Sequence, residues 1–168
     1  MDLKKYFTIT DTIVKEKKTN ISYPKSGSNR CFEIEDNSFW FKHRNKCIST
    51  LIDHFGNSDV LFDIGGGNGC VSSYLFQNGI QPVLIEPSKE GTQNALKRGC
   101  PTVFQGTLES LNINDNSIPM AGFFDVLEHI EHPKKTLEFL HTKLNKNGLL
   151  FATVPAFQWL WSYDDTYG

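Results

Sequence analysis

Residues 60–69 constrain the fold more tightly than any other stretch of this chain. Val60-Leu61-Phe62-Asp63-Ile64 is a short apolar run that stops at Gly65-Gly66-Gly67-Asn68-Gly69. A run of that length bounded by glycines predicts a buried strand, and the glycines allow a sharp turn whose amides can approach a ligand with no Cβ in the way. The alternation then repeats. Cys70–Gln77 reads as a helix ended by Asn78-Gly79, and Pro82-Val83-Leu84-Ile85-Glu86 as a second strand. Ser88 caps a helix running to Arg98-Gly99, and Pro101-Thr102-Val103-Phe104 is a third strand. Met120 to Phe124 is a fourth, followed by a short helical turn near Glu128. Pro133 opens a helix that carries Leu137, Leu140 and Leu144 and ends at Asn147-Gly148, before a fifth strand from Leu149 to Val154. Short apolar runs alternating with amphipathic helices imply a mainly parallel sheet covered on both faces, a doubly wound α/β domain.

Ahead of this unit the signal is weaker. Phe41, Ile48, Leu51, Ile52 and Phe55 recur at helical spacing, with Asn37 or Ser38 as the cap and Gly56-Asn57 as the stop. Residues 1–36 are polar, with turn signals at Tyr23-Pro24 and Lys25-Ser26-Gly27-Ser28-Asn29, and read as a partly ordered arm. The basic run Lys15-Glu16-Lys17-Lys18 reads as a solvated segment. Residues 37–168 form the working domain.

Charge and composition narrow the functional classes. The formal net charge of −2 is unevenly placed. Residues 1–50 hold ten Lys and Arg against six Asp and Glu, and residues 51–168 hold seven against thirteen. An acidic working domain favours small-molecule or neutral substrates over nucleic acid. No apolar run approaches the ~20 residues of a membrane span, and no apolar stretch follows Met1–Lys5 as in a secretory signal. Cys31, Cys47, Cys70 and Cys100 form no Cys-x-x-Cys pair, which predicts reduced thiols in a cytoplasmic protein.

A doubly wound sheet binds ligands at the carboxyl ends of its strands. Gly65, Gly67 and Gly69 follow G-x-G-x-G, and residue 70 is Cys, so the G-x-G-x-x-G form of dinucleotide sites is not met. Asp63, two residues before the first glycine, would repel a pyrophosphate. Both features disfavour a nucleotide-dependent oxidoreductase. Glu86 ends the second strand, where a carboxylate can accept hydrogen bonds from the two hydroxyls of a ribose. Together they describe a pocket for a nucleoside without phosphate, of which S-adenosylmethionine is one.

The run from Val60 to Gly69 resembles the first motif of class I S-adenosylmethionine-dependent methyltransferases. Phe123-Phe124-Asp125-Val126-Leu127-Glu128-His129-Ile130 is similar to that family's segment after the fourth strand, and Leu144 to Pro155 to its helix-to-fifth-strand signature. Phe157-Gln158-Trp159-Leu160-Trp161-Ser162, with Phe39-Trp40-Phe41 and Arg44, resembles a bacterial branch of the type 11/12 methyltransferases. The resemblance spans about residues 37–168 and implies a Rossmann-like methyltransferase fold. It implies that Asp63, Gly65, Gly66, Gly67 and Gly69 face the methionine end of S-adenosyl-L-methionine. It also implies Glu86 on the ribose, Pro87 beside the adenine, and Phe124 and Asp125 along the cofactor from the fourth strand, with Arg44 reaching the cofactor carboxylate. Where the family often has an acid meeting the adenine amine, this chain has Gly106-Thr107-Leu108, so Thr107 and Leu108 are the candidates there.

Methyl transfer from a sulfonium is an in-line displacement, so alignment carries much of the rate. S-adenosyl-L-homocysteine is its product. A hydroxyl nucleophile would gain from a general base, and His129, just past the fourth strand, is the candidate; the alternative is a histidine that packs or caps the local turn. Asp125, Glu128 and His129 would also cluster for a divalent metal if their segment were helical, although the related metal-binding enzymes usually carry Glu at the position of Asp125. Phe157, Trp159, Trp161 and Tyr163 alternate, and either cover the sheet or wall a substrate pocket. Trp40 and Phe41 admit the same two readings, as core anchors or as a lid.

The acceptor class implied by the resemblance is a small molecule or glycan, methylated on oxygen or nitrogen. A methyltransferase-like domain that binds cofactor or a protein partner without turnover is the second reading. The class I fold normally adds two strands after the fifth, so the chain is expected to be truncated within its substrate half. Its fifth strand would then be an edge open to self-association.

Overall fold

The computed structural model describes residues 2–7, 32 and 34–156. Five strands, β1 (Val60–Ile64), β2 (Gln81–Glu86), β3 (Val103–Gln105), β4 (Ile118–Phe124) and β5 (Leu144–Thr153), form one sheet in the order β3-β2-β1-β4-β5. All four pairings are parallel. The chain winds one way from β1 through β2 to β3, then returns to the other side of β1 for β4 and β5. The reversal between β1 and β4 is the switch point at whose carboxyl side a doubly wound sheet opens a crevice.

Helices α1 (Phe39–Phe55), α2 (Cys70–Gln77), α3 (Lys89–Lys97) and α4 (Pro133–Lys143) flank the sheet. The two-residue period of the strands divides the core between two faces. Val60, Phe62 and Ile64 of β1, Val83 and Ile85 of β2, and Ala121 and Phe123 of β4 pack with Leu137 and Leu140 of α4. Leu61, Met120 and Phe124 face the other way, onto Ile48 and Ile52 of α1 and Val71 and Leu75 of α2. Leu84 joins Ala95 of α3 and Cys100 there. Both faces are thus covered, as the alternation requires.

Several boundaries differ from the sequence reading. Helix α4 stops at Lys143, and Leu144 turns into extended backbone as the first residue of β5. Between Leu144, opposite Ile118, and Leu149, opposite Met120, the register slips. There the Asn145 side-chain oxygen accepts the Asn147 amide, a local bond that competes with helix continuation. On α1 the buried stripe is Asn45, Ile48, Ser49 and Ile52, whereas Leu51 and Phe55 lie on its flank and are exposed, with Phe39 and Trp40. Strand β3 is only three residues long, and residues 106–117 form turns without a helix.

The start of the arm has a larger part than its polarity implied. Tyr6 is 4% exposed and meets the Phe62 ring edge-on at 5.3 Å. Phe7 lies 4.6 Å from the Phe104 ring and bridges Ile113 in antiparallel fashion. These aromatics cover the sheet beside α4, where the β3–β4 connection supplies no helix.

Among the described residues, β5 is flanked by a strand on its β4 side alone, and no helix is long and apolar enough to cross a membrane. Cys47, Cys70 and Cys100 are free thiols. Cys31, the turns at residues 23–29, the basic run Lys15-Glu16-Lys17-Lys18 and the aromatics Phe157, Trp159, Trp161 and Tyr163 lie outside the described residues.

Candidate functional site

The glycine loop leaves β1 at the switch point and delivers the chain into α2. Gly65, Gly67 and Gly69 have φ of +75°, +53° and +76°, a left-handed backbone that glycine adopts at little cost. Two of them also lie against neighbours. A Cβ on Gly65 would come within 2.6 Å of Val126, and one on Gly69 within 2.6 Å of the Cys100 sulfur. Gly66 presses onto Asp63, whose Oδ2 would lie 2.8 Å from a Cβ there. Gly67 differs: a Cβ at that point would meet nothing within 4 Å. The loop is therefore packed on its inner side and open at Gly67.

Two carboxylates sit beneath this opening. Asp63 is 1% exposed and accepts the Ser72 hydroxyl at 2.6 Å. Burial pushes its pKa up from 3.8 to about 6, against the lowering effects of the Ser72 bond and the charge of Arg44. Glu86, at the end of β2, is 8% exposed. Its two oxygens accept the amides of Gly67 at 3.0 Å and Ser88 at 2.7 Å. Burial raises its pKa too, opposed by those two bonds. Glu86 thus ties the open point of the loop to the start of α3, where the Ser88 hydroxyl accepts the Gly91 amide as the helix cap. Pro87, half-buried, lies between these two anchors.

On the far side of the switch point β4 ends at Phe124 and Asp125. Phe124 is buried against the α1 face of the core. Asp125 adopts a left-handed φ of +59°. One of its oxygens receives Arg44 Nη1 of α1 at 2.6 Å and the other the Thr153 hydroxyl of β5 at 2.8 Å. Arg44 is thereby engaged with Asp125, while its guanidinium also rests over the Phe41 ring at 4.9 Å. The turn expected near Glu128 is a short 3-10 turn, Leu127–His129, with the His129 amide donating to the Val126 carbonyl. Asp125 precedes this turn and is held by Arg44 and Thr153. The helical spacing that would have gathered Asp125, Glu128 and His129 into a metal site is absent, and among the described residues no three such side chains converge.

At the end of β3, the Gly106 amide donates to the Glu86 carbonyl, and the Thr107 amide to the Ser110 hydroxyl. Leu108 is 2% exposed and belongs to the core, which removes it from the cofactor candidates and leaves the half-buried Thr107. Residues that sequence reasoning passed over complete the frame. Ser72 and Thr153 hold the two aspartates, and Asn94, Arg98 and Cys100 all reach the Asn68-Gly69 backbone or side chain. A serine at the first turn of the helix after an acidic strand end was the one visible signal among these; the others act through the tertiary fold.

Comparison with known proteins agrees with this fold. A family model described as a methyltransferase domain matches residues 38–165. Among solved structures, a Methanococcus maripaludis protein assigned as an S-adenosyl-L-methionine-dependent methyltransferase superposes with a TM-score of 0.68 at 21% identity, covering 82% of this chain and 67% of that one. Phosphoethanolamine N-methyltransferase 2 of Haemonchus contortus, in complex with phosphomonomethylethanolamine and S-adenosylhomocysteine, gives 0.62 at 21% identity, covering 75% and 32%. The plantazolicin methyltransferase BpumL, bound to a substrate analogue and S-adenosylhomocysteine, gives 0.58 at 17%, covering 76% and 52%. The chain thus spans between about a third and two thirds of these proteins' lengths. No curated protein matches it significantly. With the family model covering most of its length, the chain belongs to the methyltransferase domain family, with the class I, S-adenosylmethionine-dependent fold.

Proposed function

We propose that this chain binds S-adenosyl-L-methionine across the carboxyl ends of β1, β2 and β4 and transfers its methyl group to oxygen or nitrogen of a small-molecule or glycan-type acceptor. The observation that carries the reading is the open face at Gly67 directly beside the buried Glu86 carboxylate. Each Glu86 oxygen accepts one backbone amide, which leaves acceptor capacity on both for a pair of ribose hydroxyls. An uncharged nucleoside fits this cradle, and the negative charge of Asp63 under the loop suits a ligand carrying an ammonium group.

Gly65, Gly66, Gly67 and Gly69 shape the loop against the methionine half, Glu86 holds the ribose, and Pro87 and Thr107 border the adenine. When bound, the cofactor supplies an electrophilic methyl on a positively charged sulfur. The protein's own part is to fix loop, acid and acceptor in line and to exclude water, which is where most of the acceleration of such a displacement arises. In this reading His129, in the turn just beyond β4, takes the proton of an acceptor hydroxyl. Arg44 and Asp125 neutralise one another at the edge of the crevice and set the distance between α1 and the strand ends.

Protection against heat unfolding separates this reading from nucleotide redox chemistry. S-adenosyl-L-homocysteine raises the melting temperature of the chain and NAD does not; the reverse result overturns the proposal.

A further inference from the structure

Arg98, the residue that closes α3, sits outside the strand-end crevice and joins two distant segments through its guanidinium. Its side chain is 6% exposed. Nη1 donates to the Asn68 carbonyl of the glycine loop at 2.9 Å and to Glu35 Oε2 at 2.7 Å. Nη2 donates to the Phe32 carbonyl at 2.9 Å, Nε lies 3.3 Å from Asp36 Oδ1, and the guanidinium stacks over the Phe32 ring at 4.4 Å. One planar fork therefore joins the glycine loop to Phe32 and Glu35, more than 60 positions away from Arg98 in sequence. The same segment of chain grips the loop twice more: Asn94 Nδ2 donates to Asn68 Oδ1 at 3.0 Å, and the Cys100 thiol faces the Gly69 carbonyl at 3.5 Å.

We infer that Arg98 is a positioning residue for the cofactor loop, and that through it the docking of Phe32, Glu35 and Asp36 is coupled to cofactor binding. The loop carbonyl at Asn68 lies between Gly67, the open point, and Gly69, the first residue before α2. A bond that fixes Asn68 fixes both glycines, and the Gly67 amide must stay in register to reach Glu86. A guanidinium serves where an ammonium would not, because three acceptors on two distant segments are met by one rigid multi-donor fork. Glu35, 13% exposed, offsets the buried charge and makes the guanidinium's orientation depend on Phe32 and Glu35 being in place. Any ligand that orders the loop then orders those residues, and by linkage their removal weakens the ligand.

This inference rests on the proposed cofactor reading. Its test uses the full chain with S-adenosyl-L-homocysteine as the probe, the affinity measured by calorimetry. Glu35→Ala and Arg98→Lys each weaken binding at least fivefold, the lower end of ordinary coupling. Both leave the fold intact by circular dichroism. Hydrogen exchange supplies the readout that a purely structural role would not move: the probe slows exchange at residues 34–38 as well as 67–69 in the unaltered chain, and Glu35→Ala abolishes the slowing at 34–38. If the unaltered chain fails to bind the probe, the cofactor reading falls. If it binds, but both variants keep its affinity, or exchange at 34–38 ignores the probe, the coupling is overturned.

Discussion

Arg44 and Asp125 meet at 2.6 Å across 81 positions of sequence, and with the Thr153 hydroxyl they join α1, β4 and β5 at the edge of the crevice. Both carboxylate oxygens of Asp125 are engaged, and its φ of +59° suits Asp or Asn far better than a residue without a short polar side chain. Asp125→Asn keeps the backbone preference and one acceptor but removes the charge from Arg44. Asp125→Ala removes both bonds and adds the backbone penalty. Hydrogen bonds to charged groups contribute about 1.5–3 kcal/mol. Urea unfolding is expected to place Asp125→Asn about 1–2 kcal/mol below the unaltered chain and Asp125→Ala lower still; equal stability of the two variants would contradict the backbone argument.

Gly65 and Gly67 have nearly the same left-handed backbone but opposite surroundings, so alanine at each separates folding from binding. At Gly65 the added methyl strikes Val126, while at Gly67 it enters open space. Both substitutions carry the left-handed penalty of about 1–2 kcal/mol. Gly65→Ala is expected to be the less stable in thermal melts, whereas Gly67→Ala folds and loses affinity for S-adenosyl-L-homocysteine because its methyl occupies the cradle. Retained affinity in Gly67→Ala would move the cofactor away from this loop.

Glu86 accepts from Gly67 and Ser88 at once, a geometry that only a carboxylate of this length satisfies. In Glu86→Gln the amide nitrogen cannot accept, so one of the two backbone donors loses its partner. In Glu86→Asp the side chain is one methylene shorter. Loss of a charged hydrogen bond of about 1.5–3 kcal/mol predicts that each variant binds S-adenosyl-L-homocysteine more than tenfold more weakly by calorimetry. Undiminished binding in both would remove Glu86 from the ribose site.

The sheet and the glycine loop were legible because both arise from local sequence: buried parallel strands read as apolar runs, and a turn that must place φ above zero reads as glycine. Residues 60–69 and Ser88 carry their meaning on the surface of the sequence. Helix α4 was read too long because Leu144 continues its apolar period, although the side chain meets the same core from the first position of β5. Tyr6 and Phe7 were hidden in a polar segment because their burial depends on the missing helix between β3 and β4. The Arg98 fork was invisible for a deeper reason. Its partners are two backbone carbonyls and two acids, nearly all in distant segments, and carbonyl positions are set by tertiary structure.

Asp63 carries a buried carboxyl whose ionisation works against stability. Its carboxyl titrates at about 6 in the folded chain against an ordinary 3.8, because burial penalises the charge. The folded state therefore binds the proton more tightly than the unfolded one. The stability this provides is complete below pH 3.8 and is lost as pH rises through 6, so near neutrality the ionised group costs up to about 3 kcal/mol. Asp63→Asn removes that titration and still offers an oxygen to the Ser72 hydroxyl. The variant is expected to melt several degrees above the unaltered chain at pH 7.5, with the difference shrinking to nothing as pH falls towards 4. On the proposed cofactor reading it is also expected to lose affinity for S-adenosyl-L-homocysteine, whose ammonium group the buried charge would attract. Melting curves from pH 4 to 8 decide the matter: a variant less stable at pH 7.5, or a difference independent of pH, would show that the buried charge is not the destabilising element.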